Sequence, residues 1–104
     1  MQAEQGANAK GGEAGTRSVH FILKGRVQGV GMRVWAKRTA ERLDLRGWIR
    51  NLPDGRVEVC AEGPVDAMQR FRQLLRVGPR LARVNELTDR GPAVELPDEG
   101  FEIR

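Results

Sequence analysis

The segment Gly25-Arg-Val-Gln-Gly-Val-Gly-Met-Arg33 places three glycines and two arginines within nine residues. Glycines at 25, 29 and 31 let a backbone curl tightly and turn consecutive N–H groups toward one point. A helix starting just after them adds its own free N–H groups and the positive end of its dipole. Together these make a concave site for a tetrahedral anion. Arg33 falls in the first turn of that helix. Its planar guanidinium can bridge two phosphate oxygens, which a lysine cannot match. A cation at that position opposes the helix dipole unless an anion is bound. The segment is not a P-loop, because no Lys-Ser/Thr pair follows the second glycine. Nor is it a dinucleotide fingerprint: Val34 stands three after Gly31, and no acidic residue closes a second parallel strand. Glycine-rich strand–helix turns also occur as plain turns, so the segment needs a second feature beside it.

Asn51 is the candidate for that feature. It lies 18 residues after Arg33 and just before the turn Leu52-Pro53-Asp54-Gly55. Two readings stand open: a polar residue ending a strand, or a neutral amide placed to hold a water. Topology bears on the choice. Two strands joined by a crossover helix run parallel, so their C-terminal ends lie at the same end of a sheet. That would bring Asn51 beside the glycine-rich loop.

The elements that must do this positioning are legible from periodicity. Val19, Phe21 and Leu23 alternate with His20, Ile22 and Lys24, a strand beginning near Ser18. Gly25 to Gly31 is a loop. Trp35, Ala36, Thr39, Ala40 and Leu43 recur at helical spacing over about Met32 to Leu43. Leu45 to Asn51 reads as a second strand and the Pro-Asp-Gly sequence as a turn. Val57, Val59 and Ala61 give a third strand with one core face. Gly63-Pro64 starts a second helix, with Pro64 at its first position, whose buried stripe is Ala67, Met68, Phe71, Leu74 and Leu75. Gly78-Pro79 stops it. Residues 82–89 form a fourth strand in which Val84 and Leu87, three apart, break the alternation and mark a bulge. Phe101 and Ile103 suggest a short edge strand. The order β-α-β-β-α-β is that of an α+β ferredoxin-like sandwich, with an antiparallel sheet, two helices on one face and a short terminal edge strand. That arrangement hosts many functions and assigns none.

Composition bounds the classes. The chain has 104 residues, room for one domain. Residues 1–17 contain four Gly, four Ala and no large apolar residue after Met1. They are expected to be a disordered leader, with the domain spanning 18–104. No apolar run approaches a membrane span, and no apolar stretch follows Met1, so neither a transmembrane segment nor a secretory signal is expected. With one Cys and one His, a zinc cluster is excluded by counting. The lone Cys60 fits a reducing, cytoplasmic setting. The net charge of +4 is uneven: residues 17–50 carry nine basic against two acidic side chains, net +7, whereas residues 51–104 carry a net −2. Such a field attracts anions without choosing among them. Aromatics make up only 5%, and Tyr is missing.

At this point the chain resembles the acylphosphatase family. One family signature stands here as Gly25-Arg26-Val27-Gln28-Gly29-Val30-Gly31-Met32-Arg33, and a second as Gly47-Trp48-Ile49-Arg50-Asn51. Further matches are Pro53-Asp54-Gly55, Val57-Glu58-Val59, Ala61-Glu62-Gly63-Pro64 and Gly100-Phe101-Glu102-Ile103. The resemblance covers about residues 18–104. It implies hydrolysis of the carboxyl–phosphate bond of acyl phosphates without metal or cofactor. It implies that the backbone amides of Gln28, Gly29, Val30, Gly31 and Met32 bind the phosphoryl group with Arg33, and that Asn51 orients the attacking water. Inorganic phosphate or sulfate should bind as product-like ligands, and a monomer is expected, with no nucleic-acid or membrane partner. Met32 departs from the pattern by replacing an aromatic residue. Met is apolar and adaptable, so packing and the backbone cradle should survive.

The rival reading is a non-catalytic module that binds anions or nucleic acid. RNA-recognition domains share the element order but stack bases on aromatics of their central strands. Here the third strand offers Glu58, Cys60 and Glu62 to the open face, the wrong chemistry for RNA. His20 should face that open side without a catalytic role. Cys60 is expected to be structural, Trp35 to be core and Trp48 to pack on the sheet.

Overall fold

The computed structural model of the chain describes residues 15–104. Its elements are β1 (Thr16–Arg26), α1 (Met32–Arg42), β2 (Arg46–Asn51), β3 (Val57–Pro64), α2 (Val65–Val77), β4 (Arg83–Asp89) and β5 (Phe101–Ile103). The strands form one sheet in the order β4-β1-β3-β2-β5. Val19, Phe21, Leu23, Ile49, Val57, Val59 and Ala61 project to one face, where Ala36, Ala40, Met68, Phe71 and Leu75 of the helices pack on them. The alternation of the strands and the 3.6-residue spacing of the helices thus meet in one apolar layer. Among the described residues no helix is long and apolar enough to cross a membrane.

The structure departs from the sequence reading at four places. β1 begins at Thr16, so Thr16 and Arg17 are strand and pair with Pro64 and Gly63. Of the rest of the expected leader, Gly15 is described and precedes the strand, and residues 1–14 lie outside the described residues. Pro64 ends β3 and serves as N-cap of α2, one position earlier than the first helical residue. The sheet is mixed, because β5 pairs parallel with β2 while the other pairs are antiparallel. Lastly, the face expected to be open is partly covered. The segment after β4 must cross from one edge of the sheet to the other to deliver β5. On the way Ala93 N donates to Ser18 Oγ (2.7 Å) and Trp48 Nε1 donates to the Val94 carbonyl (2.9 Å). Ile22, Trp48, Glu58 and Cys60 are buried on this face as a result.

The bulge appears where the broken alternation put it. Lys24 pairs with Glu86 but Gly25 pairs with Val84, so Asn85 is the extra residue. One inserted residue lets both Val84 and Leu87 turn to the core.

Candidate active site

Because β3 is antiparallel to both β1 and β2, those two strands run parallel and end together. Leu23 pairs with Val57, and Val57 pairs with Asn51, so the three share one row across the sheet. Asn51 therefore lies on the helix side of the sheet, at the end where β1 feeds the loop 27–31 and α1 begins.

The loop carries two left-handed residues, Gly29 at φ 73° and Gly31 at φ 78°. Gly31 is the N-cap of α1, and no side chain caps it. The N–H groups of the first helical turn thus lack the usual partners. A Cβ added at Gly29 or Gly31 would meet nothing within 4 Å, so both glycines are there for their backbone angle and face free space. The first turn of α1 holds no acidic residue. Arg33, its second residue, is exposed and forms no ion pair among the described residues. The neighbouring Met32 side chain is buried instead, its methyl beside Gly78. The Met32 side chain is thus taken up by the core, and only its amide is left to the loop.

Gln28 does more than lend its backbone amide. Its side-chain Nε2 donates to the carbonyls of Leu52 (2.8 Å) and Arg56 (2.9 Å). These two carbonyls flank the β2–β3 turn, and Leu52 follows Asn51 directly. Gln28 thus ties the loop to the turn that directly follows Asn51. Sequence reasoning missed this role; the one available signal was a long amide set between loop residues that otherwise lack polar side chains. Asn51 Oδ1 is buried and has no hydrogen-bond partner among the described residues. A buried unpaired acceptor costs about 1–3 kcal/mol. Such an atom is uncommon in a stable domain unless function retains it.

The other singled-out residues lie elsewhere. His20 Nε2 donates to Glu58 Oε2 (2.7 Å) on the face away from α1. Burial pushes the Glu58 carboxyl up, but the hydrogen bonds from Arg50 and His20 outweigh this and leave it below the ordinary range. Cys60 is buried and its thiol is pushed up by that burial, the reverse of an activated nucleophile. Trp48 lies between its strand and the strap, residues 90–100 that connect β4 to β5, with the guanidinium carbons of Arg50 and Arg104 5.4 and 5.2 Å from its ring centroid. Trp35 packs partly buried against the core. Among the described residues no three His, Cys, Asp or Glu side chains converge as a metal-ligand set.

The ferredoxin-like α+β sandwich gathers at one strand end a left-handed glycine loop, an arginine without an ion pair among the described residues and a buried amide oxygen without a partner. Comparisons specify it further. Residues 19–103 match the Acylphosphatase family model. The acylphosphatase of Nitratidesulfovibrio vulgaris (strain DP4) is 53% identical over 87 residues, covering 81% of this chain and 86% of that protein. The crystal structure of acylphosphatase from Bacillus subtilis superposes with TM-score 0.76 at 35% identity, covering 84% of this chain and 97% of the other. The acylphosphatase structure from Coxiella burnetii gives TM-score 0.79 at 34% identity, covering 88% and 96%. The chain belongs to the acylphosphatase family. The alternative of a non-catalytic anion- or nucleic-acid-binding module is not favoured.

Proposed function

We propose that this protein hydrolyses the carboxyl–phosphate bond of acyl phosphates, releasing a carboxylate and inorganic phosphate. The phosphoryl group sits on the backbone amides of Gln28, Gly29, Val30, Gly31 and Met32, and Arg33 bridges two of its oxygens. The Asn51 amide holds the attacking water. As water adds to phosphorus, the bond to the carboxyl oxygen breaks and the carboxylate leaves with that electron pair. The water's proton passes to a phosphoryl oxygen of the substrate, since Asn51 cannot act as a base. A carboxylate is a good leaving group, so no strong general acid is required. Phosphoryl transfer then asks chiefly for positioning and charge stabilisation, which oriented amides and one guanidinium supply.

The observation that carries this reading is the buried, unpaired Asn51 Oδ1 beside a loop that Gln28 holds against its turn. A water between that amide and a bound phosphoryl group would satisfy the orphan acceptor. The reading extends to a cytoplasmic, monomeric enzyme that needs no metal, in keeping with its single buried free cysteine. Hydrolysis of benzoyl phosphate, with and without a chelator, tests the proposal. Equal turnover in both is the expected result. Failure in both would defeat the enzyme reading, and loss with chelator alone would defeat the metal-free mechanism.

A further inference from the structure

Resting on the acyl phosphate reading above, we propose that the side chain of Gln28 is a positioning residue for the turnover step. Its amide sets where Asn51 stands relative to the bound phosphoryl group. It thereby governs kcat without itself touching the substrate.

The loop and the turn are each closed by bonds of their own. In the turn, Leu52 N donates to the Arg56 carbonyl (2.8 Å), Gly55 N to the Leu52 carbonyl (3.1 Å) and Arg56 N to Asp54 Oδ1 (3.0 Å). At the loop, Val27 and Met32 are buried at either end, and Trp35 N donates to the Gly31 carbonyl (3.1 Å). Neither unit needs the other to keep its shape. Among the described residues, the two bonds from Gln28 Nε2 are the hydrogen bonds that join them. A primary amide has two N–H groups, and both are used here. Residues 29–31 are Gly, Val and Gly, so no other side chain of the loop could make the link.

Asn51 depends on what lies beyond it. Its pairing with Val57 is the last rung of the β2–β3 ladder. Its buried Oδ1 has no partner among the described residues, so no bond to that oxygen fixes the side chain. The placement of Asn51 therefore falls to the main chain, and the next residue, Leu52, is the one Gln28 grips. The same glutamine lends its backbone N–H to the proposed cradle. One residue thus sets the phosphoryl group and the water holder at a fixed separation. Reaction rates fall steeply when reacting atoms are misplaced, by about 10²-fold for 1 Å. Phosphate affinity is a separate matter, because the cradle amides and Arg33 belong to the loop and α1 alone. Breaking the link costs rate and not binding.

The test uses the full chain and benzoyl phosphate. Methionine keeps the length of Gln28 and removes its donors. Gln28→Met should lower kcat about tenfold, with KM and the inhibition constant of phosphate held within about twofold. On an Asn51→Ala background the same change should cost less than about twofold in kcat, because no amide is left to misplace. Gln28→Glu sets a carboxylate against two carbonyl oxygens. Its kcat relative to wild type should rise as pH falls and the carboxyl gains a proton to donate, whereas the Gln28→Met ratio should stay flat. Phosphate inhibition reports in every variant whether the loop is intact. A loss that appears in KM and phosphate inhibition, or one of equal size with and without Asn51, would mean that Gln28 only maintains the loop's shape and would overturn the proposal. An unchanged kcat in Gln28→Met would overturn it as well, with the proposed function intact. Wild-type protein inert toward benzoyl phosphate overturns the function, and the inference with it.

Discussion

Arg50 and Arg33 are both exposed arginines close to the same end of the sheet, and they are treated in opposite ways. Arg50 Nε donates to Glu58 Oε1 (2.7 Å), and the same carboxylate accepts from His20. Around them Arg46 bonds Glu62 and Trp48 bonds the Val94 carbonyl, so the polar groups of this face answer one another. Arg33, on the helix side, has no carboxylate, stands where the helix dipole opposes it, and faces a loop whose first helical N–H groups have no side-chain cap. At the same end of the sheet Asn51 buries an acceptor without a partner among the described residues. The first region uses polar groups to hold the β-strands and the strap together. The second leaves them unsatisfied where a phosphoryl group and a water would satisfy them. Charge alone does not separate the two regions; compensation does.

The sharpest way to break this comparison is to truncate both arginines. Arg33→Ala should lower kcat for benzoyl phosphate by about 10³-fold, the scale of losing a charge-stabilising donor. Its thermal stability should be unchanged or slightly raised, because a cation is removed from a helix N-terminus. Arg33→Lys should rescue poorly, lacking the fork. Arg50→Ala should do the reverse, keeping the rate within about twofold and lowering stability by at most about 1 kcal/mol, as for an exposed ion pair. Comparable rate losses in both variants would erase the distinction between the regions.

Asn51→Ala comes next. Removing the group that positions the water should cost about 10²-fold in kcat. Competitive inhibition by phosphate should hardly change, because the amide is no phosphate ligand. A variant that kept its maximal rate but bound substrate more weakly would show a uniform-binding role instead.

Much of the candidate site's layout is legible in the sequence, for local reasons. The glycines, Arg33 and the helix start lie within one short segment, and the crossover rule brings Asn51 to the same end. The bulge at Asn85 was visible because Val84 and Leu87 break a period of two. What stayed hidden depends on partners distant in sequence. Gln28 finds carbonyls 24 and 28 residues away, which no pattern within the loop encodes. Thr16 and Arg17 belong to a weakly patterned strand end that exists only because β3 extends to pair with them. The strap over Trp48 and Cys60 is held by main-chain acceptors and a serine hydroxyl, so its sequence has no periodicity to read. The parallel pairing of β5 follows from the strap's crossing and could not be seen from Phe101 and Ile103 alone.

Phosphate should sharpen the comparison by supplying what the second region lacks. A ligand that binds only the native state stabilises it by RT ln(1 + [L]/Kd), about 2.7 kcal/mol at a hundredfold excess over Kd. Phosphate should compete with substrate and raise the melting temperature, sulfate should act similarly, and chloride at matched ionic strength should not. The matched control matters because any salt screens the basic half of the chain. Arg33→Ala should lose most of the phosphate-specific shift, and Arg50→Ala should keep it. Equal shifts with phosphate and chloride would remove residues 28–33 from the phosphate site.

The last effect, the smallest on turnover together with that of Arg50→Ala, tests the compensated region alone. Burial raises the Glu58 carboxyl, but the hydrogen bonds from Arg50 and His20 prevail and hold it below the ordinary glutamate value. A carboxylate depressed in the folded state binds its proton more weakly there than in the unfolded chain. Its contribution is therefore present in full above the unfolded pKa and fades as pH falls through the folded one. Glu58→Gln keeps the shape and removes the charge. At neutral pH it should cost about 1–2 kcal/mol, since two donors lose a charged acceptor on a mostly buried face. Turnover should stay within about twofold, because Glu58 lies across the sheet from the loop. Denaturant midpoints of wild type and variant, taken at neutral pH and then down through the acid range, should converge as Glu58 protonates in the wild type. A gap that stayed constant with pH would mean that packing, and not the ionised carboxylate, holds this face together.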